Sequence, residues 1–287
     1  MKPSLFDYVA PRSVDEAVGL LKEDSGAMIL AGGQSLIPAM NMRLASPSRL
    51  IDIQNIPGLS HITIGNGKIA VGAMARHREV ELHDGVAAAN PVLRAALGHV
   101  AHIPIRNRGT VVGSLCHADA AAEMPMILVL TGGSVQVAGS DGGREIAAQD
   151  FFQFHMTTSR QPDEMVVEAH FPALPPGAGF AFEEFTRRHG DYAIAAAGCI
   201  LTRNGAGAVA TVALAACGVS SKPLRLAAAE QILAGSRLTA ADIKAAGDAA
   251  CAAVTAPGDM HATAGYRKHL FATLVRRAVE RAAARAQ

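Results

Sequence analysis

The chain has 287 residues, of which 50% are hydrophobic and 18% are charged. This composition supplies enough apolar surface for a large core and for two or three packed units. The formal net charge is only +1, so the sequence does not favour nucleic acid or an anionic membrane as a partner.

Cysteine and histidine spacing argues against a metal site built by this chain alone. No two of the four cysteines (Cys116, Cys199, Cys217 and Cys251) have CxxC spacing, and the 11 histidines are dispersed. Neither a zinc ribbon nor an iron–sulfur ligand set is therefore expected. The sequence also shows no signal peptide and no run of about 18 apolar residues that would span a membrane. Scattered single thiols are typical of a reducing cytoplasm, where we expect this protein.

The first elements alternate between helix and strand. Ser13–Glu16 forms a capping box, and four apolar residues follow at helical spacing: Val14, Ala17, Val18 and Leu21. Ala27–Leu30 is predicted to be a buried strand that ends at Gly32-Gly33. A helix-like stretch through Met42 and a strand at Leu50–Ile53 come next.

Two hairpins and a capped helix are predicted in the middle of the chain. Asn66-Gly67 lies between two apolar runs in residues 61–71, and this pair favours a type I′ turn. Asn90-Pro91 begins a helix, with asparagine as the cap and proline in the first turn. The second hairpin is predicted from Ser134–Ala138 and Arg144–Ala147, on either side of Asp141-Gly142-Gly143.

A proline-rich segment, Pro172–Gly177, marks a domain boundary. Three strands are predicted after it, at residues 179–187, 193–203 and 208–219, with Asn204-Gly205 turning the second into the third. Three helices are predicted to follow, at residues 223–234, 240–254 and 266–284. This order indicates an α+β protein whose C-terminal unit is a small sheet covered by helices.

Two glycine-bearing segments are candidates for binding a phosphate. In the first, a strand runs through Leu30 and Ala31 into Gly32-Gly33, and Gln34, Ser35, Leu36 and Ile37 follow. Successive backbone N–H groups in such a turn form an anion nest, and glycine permits close approach to the backbone. Taken alone, the segment fits a plain strand-to-helix turn better, because Gly-Gly pairs are common in turns.

The second segment is Gly109–Ser114, followed by Asp119 and Glu123. A carboxylate beside a nucleotide accepts hydrogen bonds from its sugar hydroxyls, but carboxylates in this position also cap helices. Neither segment is GxGxxG, and no GxxxxGK[ST] phosphate loop is present, so a Rossmann site is disfavoured.

Together the two segments resemble the pair of FAD-binding motifs in the flavoprotein subunits of carbon monoxide dehydrogenase and related molybdenum hydroxylases. Ala31–Leu36 matches AGG-x-S-L, and Gly109–Ser114 with Asp119 and Glu123-Met124-Pro125 resembles the second motif. The similarity extends along the chain, at Phe6-Asp7-Tyr8, Val71–Met74, Arg106–Arg108, Arg187–Ala193 and Tyr266-Arg267.

The resemblance implies an FAD-binding fold of two α+β subdomains, joined to a C-terminal domain of a three-stranded antiparallel sheet and a helical bundle. We expect the FAD-binding domain at residues 1–176, split near residues 55–60, and the C-terminal domain at residues 177–287.

The resemblance also implies which residues contact FAD. The first segment, Leu30–Ile37, and Thr110, Val111, Val112, Gly113 and Ser114 would hold the pyrophosphate and ribityl chain. Asp119 and Glu123 supply acids, Ile103 and Ile105 pack on the cofactor, and Val166 lies near the flavin or adenine. Tyr192 matches a tyrosine close to the isoalloxazine ring, where stacking is expected.

Three positions depart from the family pattern. Val112 replaces the first glycine of a pair, and valine is costly at positive φ, so we expect either an ordinary φ or a displaced loop. Ala120 replaces a common proline, and Glu123 replaces a frequent aspartate.

By this resemblance the chain is an oxidoreductase subunit of a dimer of heterotrimers. A large subunit with a molybdopterin-type cofactor would hydroxylate the substrate, and a small subunit would hold two 2Fe–2S clusters. FAD in this chain would relay electrons to an external acceptor, so no catalytic acid, base or metal ligand is assigned to it.

Several alternatives stay open. A self-contained FAD-dependent NAD(P)H reductase and a non-catalytic nucleotide-binding protein are rival interpretations of the whole chain. Arg187 and Arg188 fit a solvated strand end, a partner interface or an acceptor site. The run Ser114–Asp119 favours an N-heteroaromatic substrate over carbon monoxide or an aldehyde.

Overall fold

The structure is a computed structural model that describes residues 1–287. Its N-terminal part is a small parallel sheet with two helices. The strands lie in the order β1 (Asp7–Val9), β3 (Arg49–Asp52) and β2 (Met28–Leu30), and both outer strands are parallel to β3. The elements of this part are β1 (Asp7–Val9), α1 (Val14–Glu23), β2 (Met28–Leu30), α2 (Leu36–Asn41) and β3 (Arg49–Asp52).

Local sequence signals account for most of this part. The Ser13 hydroxyl accepts a hydrogen bond from the backbone N–H of Glu16 at 3.1 Å, so the predicted cap of the first helix is confirmed. Strand β1 was not among the predicted elements. This strand is only three residues long, and its partners begin at Arg49, so no local pattern signals it.

The middle part is a five-stranded antiparallel sheet, in the order β4-β5-β10-β6-β7, packed with short helices. Its elements are β4 (Ile62–Gly65), β5 (Lys68–Gly72), α3 (His77–Leu82), α4 (Asp84–Ala89), α5 (Pro91–Leu97), α6 (Ile103–Arg106), α7 (Val111–His117), α8 (Glu123–Thr131), β6 (Ser134–Gly139), β7 (Gly142–Ala147), α9 (Ala148–Phe151), β8 (Phe152–Phe154), β9 (Thr157–Thr158) and β10 (Met165–Pro172). Strands β8 and β9 form a separate two-stranded ribbon.

Both predicted hairpins are confirmed, and one turn is shifted. Asn66 and Gly67 have φ values of 51° and 73°, as a type I′ turn requires. In the second hairpin, Gly142 and Gly143 belong to β7, because Gly139 pairs with Gly142 and Ser140-Asp141 makes the turn.

The C-terminal part is an antiparallel sheet covered by three helices. Its elements are β11 (Gly179–Phe185), β12 (Ala195–Arg203), β13 (Val209–Cys217), β14 (Leu224–Arg225), α10 (Ala227–Leu233), α11 (Ala240–Ala253) and α12 (Ala264–Arg285). The predicted α+β fold class is confirmed, but a fourth strand, β14, extends the three-stranded sheet. Leu224 and Arg225 pair with the free edge of β13, and the helix predicted from Pro223 therefore begins only at Ala227.

The C-terminal sheet separates two hydrophobic cores. Alternate residues of a strand point to opposite faces. Thus Ala195 and Ala197 of β12 belong to a core of 22 residues under the helices, whereas Ala196 belongs to the main core of 45 residues. That face of the sheet therefore packs against the middle part of the chain. No helix in the structure combines the length and apolar character needed to cross a membrane.

Candidate functional site

The two glycine segments meet backbone to backbone. A Cβ atom added to Gly32 would lie 2.6 Å from the carbonyl oxygen of Arg108 and 2.7 Å from Cα of Gly109. Gly33 has a φ of +71°, in the left-handed region that favours glycine. The two glycines are therefore needed for different reasons. Gly32 allows the two segments to approach each other, and Gly33 allows the chain to turn.

The second segment is the start of a helix and not an extended loop. The Thr110 hydroxyl caps α7 by accepting a hydrogen bond from the backbone N–H of Gly113 at 3.0 Å. Val112 lies within this helix and is not among the residues with positive φ. Of the two expected alternatives, an ordinary φ at Val112 and a displaced loop, the first is therefore correct. The valine imposes no backbone strain.

A cavity of about 640 Å³ lies where the two segments meet. Its volume falls within the usual range for small-molecule sites, roughly 300–1,000 Å³. Most predicted site residues line it: Ala31, Gly32, Gly33, Gln34, Ser35, Leu36, Ile105, Thr110, Val112, Gly113, Ser114, Glu123, Val166 and Tyr192. Residues distant in sequence thus converge on one cavity.

Five predicted residues do not line this cavity. Leu30 ends β2 behind Gly33, and Val111 is fully buried in the main core. Ile37 and Ile103 lie at the protein surface, where they are 36% and 52% exposed. Asp119 lines a neighbouring cavity instead.

That neighbouring cavity has a volume of about 990 Å³ and shares Tyr192 with the first. Its wall includes Arg187 and Arg188, which are exposed in the turn after β11. Their predicted roles as a solvated strand end, a partner contact or an acceptor site stay predictions.

His77 is a cavity residue that the sequence analysis missed. It is 5% exposed, it begins α3, and neither of its ring nitrogens has a hydrogen-bond partner in the protein. Burial and the nearby Arg106 cation lower its pKa to about 4, so the imidazole is neutral at pH 7. Nothing in its local sequence marked it, because a single histidine at the start of a helix is usually structural.

Glu123 is a protonated acid in the cavity wall. It is 3% exposed, and burial, followed by the neighbouring Glu184 carboxylate, raises its pKa to about 8. At neutral pH it is therefore mostly a neutral hydrogen-bond donor, whereas the family resemblance suggested only an acid that contacts FAD.

Tyr192 connects the C-terminal part of the chain to the first glycine segment. Burial and the Asp119 carboxylate raise the pKa of its hydroxyl to about 12, and the nearby Ser35 hydroxyl opposes this rise. The phenol therefore stays neutral, beside the turn that contains Gly33.

The residues present fit an FAD molecule. The turn at Gly32-Gly33 leaves a cradle that a side chain would fill, and the cavity wall combines apolar side chains with the hydroxyls of Ser35, Thr110 and Ser114. Such a mixture suits a ligand with phosphates, sugar hydroxyls and an apolar ring. His77 also lines the cavity.

Comparison with known proteins identifies both parts of the chain. The family described as the FAD binding domain in molybdopterin dehydrogenase matches residues 4–174. The CO dehydrogenase flavoprotein C-terminal domain matches residues 180–282.

Individual relatives match over almost their full lengths. The 6-hydroxypseudooxynicotine dehydrogenase complex subunit alpha of Paenarthrobacter nicotinovorans is 41% identical, over 100% of this chain and 97% of that protein. A structure of carbon monoxide dehydrogenase from Hydrogenophaga pseudoflava, lacking the Mo-pyranopterin moiety of its cofactor, superposes with a TM-score of 0.98 at 35% identity, covering 100% of both chains. Quinoline 2-oxidoreductase from Pseudomonas putida 86 gives a TM-score of 0.94 at 35% identity, covering 99% of both chains.

Proposed function

The chain belongs to the family of FAD-binding medium subunits of the molybdenum hydroxylases, and from this premise we propose how it works. It holds FAD between the 2Fe–2S clusters of a small partner subunit and an external electron acceptor. A large partner subunit with a molybdopterin-type cofactor hydroxylates the substrate. Bound FAD supplies a redox centre that accepts electrons singly or in pairs, and this chain supplies binding, orientation and electrostatics.

The observation that carries this proposal is the close contact of the two glycine segments around one cavity. Gly32 touches the backbone of Arg108 and Gly109, and the hydroxyls of Ser35 and Ser114 line the space beside this contact. We assign this part of the cavity to the pyrophosphate and ribityl chain, and Tyr192 to the isoalloxazine ring.

The remaining predicted contacts fall into three groups. Ile105, Val166 and Glu123 line the cavity and are assigned direct contact with FAD. Leu30 and Val111 support the two segments from behind. Ile37, Ile103 and Asp119 lie outside this cavity, and we assign them to its margins.

We propose that the domain boundary lies at residues 176 and 177, with the first domain divided near residues 55–60. In support, the parallel sheet ends at Asp52, the antiparallel sheet begins at Ile62, and a proline-rich segment precedes β11. We also propose a cytoplasmic location, because none of the four cysteines is paired in a disulfide.

For the substrate we propose an N-heteroaromatic compound, hydroxylated in the large subunit. A relative named for 6-hydroxypseudooxynicotine and a similar structure of quinoline 2-oxidoreductase support this choice. A similar carbon monoxide dehydrogenase structure makes carbon monoxide the competing substrate to include in every assay.

Purification of the protein from its native source tests the assignment. The expected result is a complex that contains FAD and in which this chain is accompanied by two other polypeptides, molybdenum and iron. A complex without FAD, or a yellow monomer that NAD(P)H reduces without partner proteins, would contradict the proposal.

A further inference from the structure

The neighbouring cavity of about 990 Å³ shares a wall with the FAD cavity. Three separate segments of the chain contribute residues to both cavities. In each segment, residues one or two positions apart line different cavities, so a single layer of chain separates the two spaces. With the residue of the FAD cavity first, these neighbours are His117 and Asp119, Met156 and His155, and Gly190 and Asp191.

Tyr192 completes this wall. It lines both cavities, and it is 50% exposed. Since Tyr192 is assigned to the isoalloxazine ring, a ligand in the neighbouring cavity would lie one side chain away from the flavin.

One side of the neighbouring cavity is held rigidly by a buried arginine of α12. Arg267 is 5% exposed, and its Nη1 atom donates to the carbonyl oxygens of Ile194 at 2.6 Å and Gly218 at 3.1 Å. Its Nη2 atom lies 2.5 Å from the Asp259 carboxylate, so the two charges compensate each other. These bonds join α12 to the ends of two strands, and the cavity is therefore formed before any ligand arrives.

Two other arginines of the cavity wall have no protein partner. Arg187 and Arg188 are exposed, and their guanidinium groups make neither an ion pair nor a hydrogen bond within the chain. Two carboxylates of the wall are not paired with Arg267. Asp119 accepts a backbone N–H at 2.8 Å, and Asp191 is exposed and has no partner. Free guanidinium groups thus outnumber the free carboxylate.

The same cavity presents two exposed aromatic rings. Phe154 is 60% exposed, and Tyr192 also faces the cavity. Aromatic rings of this kind stack on flat ligands, and the planar fork of a guanidinium group binds phosphate, sulfonate or carboxylate through two hydrogen bonds. A planar ring that carries an anionic group satisfies both features.

We propose that the neighbouring cavity binds the external electron acceptor, a planar molecule of the quinone type that carries an anionic group. Phe154 and Tyr192 contact its ring, and Arg187 and Arg188 bind its anionic group. This inference rests on the proposed function, in which reduced FAD in the first cavity is the source of electrons.

The transfer balances as FADH2 plus quinone giving FAD plus hydroquinone. Two electrons cross the wall at Tyr192, two protons leave FADH2 for water, and two protons from water bind the quinone oxygens. Electrons can cross a single side chain, whereas a hydride passes only between rings in direct contact. The shared wall therefore favours a quinone over a nicotinamide as the acceptor.

The first test measures binding to the complete FAD-loaded complex in its oxidised state. Equilibrium dialysis is carried out with naphthoquinone sulfonate and with uncharged naphthoquinone. In the double variant Arg187→Gln/Arg188→Gln, we expect the Kd of the sulfonate to rise roughly tenfold and that of the uncharged ring to change less than about twofold. Arg277→Gln is the control, because Arg277 is exposed on α12 and lines neither cavity.

The second test follows flavin absorbance after the anaerobically reduced complex is mixed with each probe. Reoxidation by the sulfonate should saturate, and NAD⁺ should not reoxidise the flavin. Ser221 is exposed and lines only the neighbouring cavity. Ser221→Trp should therefore slow reoxidation by both quinones and leave flavin content at the wild-type level.

Equal binding of the sulfonate by the double variant and the Arg277→Gln control would overturn the acceptor site. Reoxidation by NAD⁺ faster than by the sulfonate would overturn it as well. Loss of a partner subunit from the double variant would assign Arg187 and Arg188 to a protein interface instead. Absence of FAD from the wild-type complex would contradict the proposed function and not the site, because binding of the sulfonate is measured separately.

Discussion

Two adjacent glutamates on opposite faces of the C-terminal sheet differ in whether their buried oxygens have hydrogen-bond partners. On the face covered by helices, Glu183 is paired with Arg281, with 2.5 Å between Oε1 and Nη1. On the face towards the FAD cavity, Glu184 keeps one unpaired oxygen, and His77 in the cavity wall keeps two unpaired ring nitrogens. Each such group costs about 1–3 kcal/mol. The Glu183 carboxylate is thus paired within the protein, whereas Glu184 and His77 retain buried polar atoms without a partner.

The largest expected effect on stability comes from the covered face. A Cβ atom on Gly179 would lie 1.9 Å from the carbonyl oxygen of Ala282 in α12, and backbone atoms cannot move aside cheaply. We expect Gly179→Ala to lower the free energy of unfolding by about 3 kcal/mol, as overpacking does. Urea denaturation measures this, with Gly205→Ala as the control because nothing lies within 4 Å of its added Cβ. Equal losses in both variants would mean that helix α12 does not pack as closely as described.

On the cavity side, Gly32→Ala should affect binding more than folding. The added Cβ would push the first glycine segment away from Arg108 and Gly109 and so distort the cradle. We expect the affinity for FAD to fall roughly tenfold to a hundredfold, which corresponds to overpacking of about 1–3 kcal/mol. Flavin content after purification reports the change. In Gly19→Ala the new methyl group meets open space in α1, so flavin content should stay at the wild-type level. Full flavin occupancy in Gly32→Ala would show that the close approach of the two glycine segments is not needed to bind FAD.

Glu123 should make stability depend on pH. Its pKa is about 8 in the folded protein and 4.5 ordinarily, so the folded protein binds more protons between these values. The free energy of unfolding therefore falls as the pH rises through this window. His77 acts in the opposite direction, but only below its ordinary pKa of 6.5.

Between pH 6.5 and 8 His77 no longer contributes to the pH dependence, and Glu123 contributes a loss of up to about 2 kcal/mol. We expect Glu123→Gln to flatten the dependence in this range, as measured by urea denaturation at several pH values. Glu280→Gln changes an exposed position of α12. In this control the free energy of unfolding should vary with pH as it does in the wild type. If the slope survives in Glu123→Gln, another group is responsible for it.

The smallest effect is expected from the ion pair on the covered face. Arg281 is 61% exposed, so its contribution to the pair with Glu183 is weakened by solvent. We expect Arg281→Gln to lower the free energy of unfolding by about 1 kcal/mol and to leave flavin content unchanged. Arg277 lies on the same helix and makes no ion pair, so Arg277→Gln serves as its control. A loss of flavin in Arg281→Gln would show that the two faces are coupled.

The sequence predicted those features whose cause is local. The Ser13 cap, the Asn66-Gly67 turn and the Asn90 cap each depend on a few adjacent residues, and the structure has all three. Strands β1 and β14 escaped prediction, because two or three residues become a strand only when a distant edge is available to pair with.

The candidate site likewise combines residues that sequence motifs predict with residues whose role depends on distant parts of the chain. The family motifs identified both glycine segments. The backbone conformation of Val112 did not follow from those motifs, because it depends on the start of α7 at Val111. His77 and Glu184 carry no motif. Their burial, and the contact of Glu184 with His99, arise from helices and strands that meet only in the folded protein.

In the proposed function, electrons reach FAD in this chain from partner subunits. The direct measurement is the flavin absorbance of the purified complex under anaerobic conditions, with an N-heteroaromatic substrate and with carbon monoxide added separately. One of these substrates should bleach the flavin in the complete complex, and neither should bleach it in the separated flavin-loaded chain. Bleaching of the separated chain by NAD(P)H, with no response of the complete complex to either substrate, would contradict the proposed function.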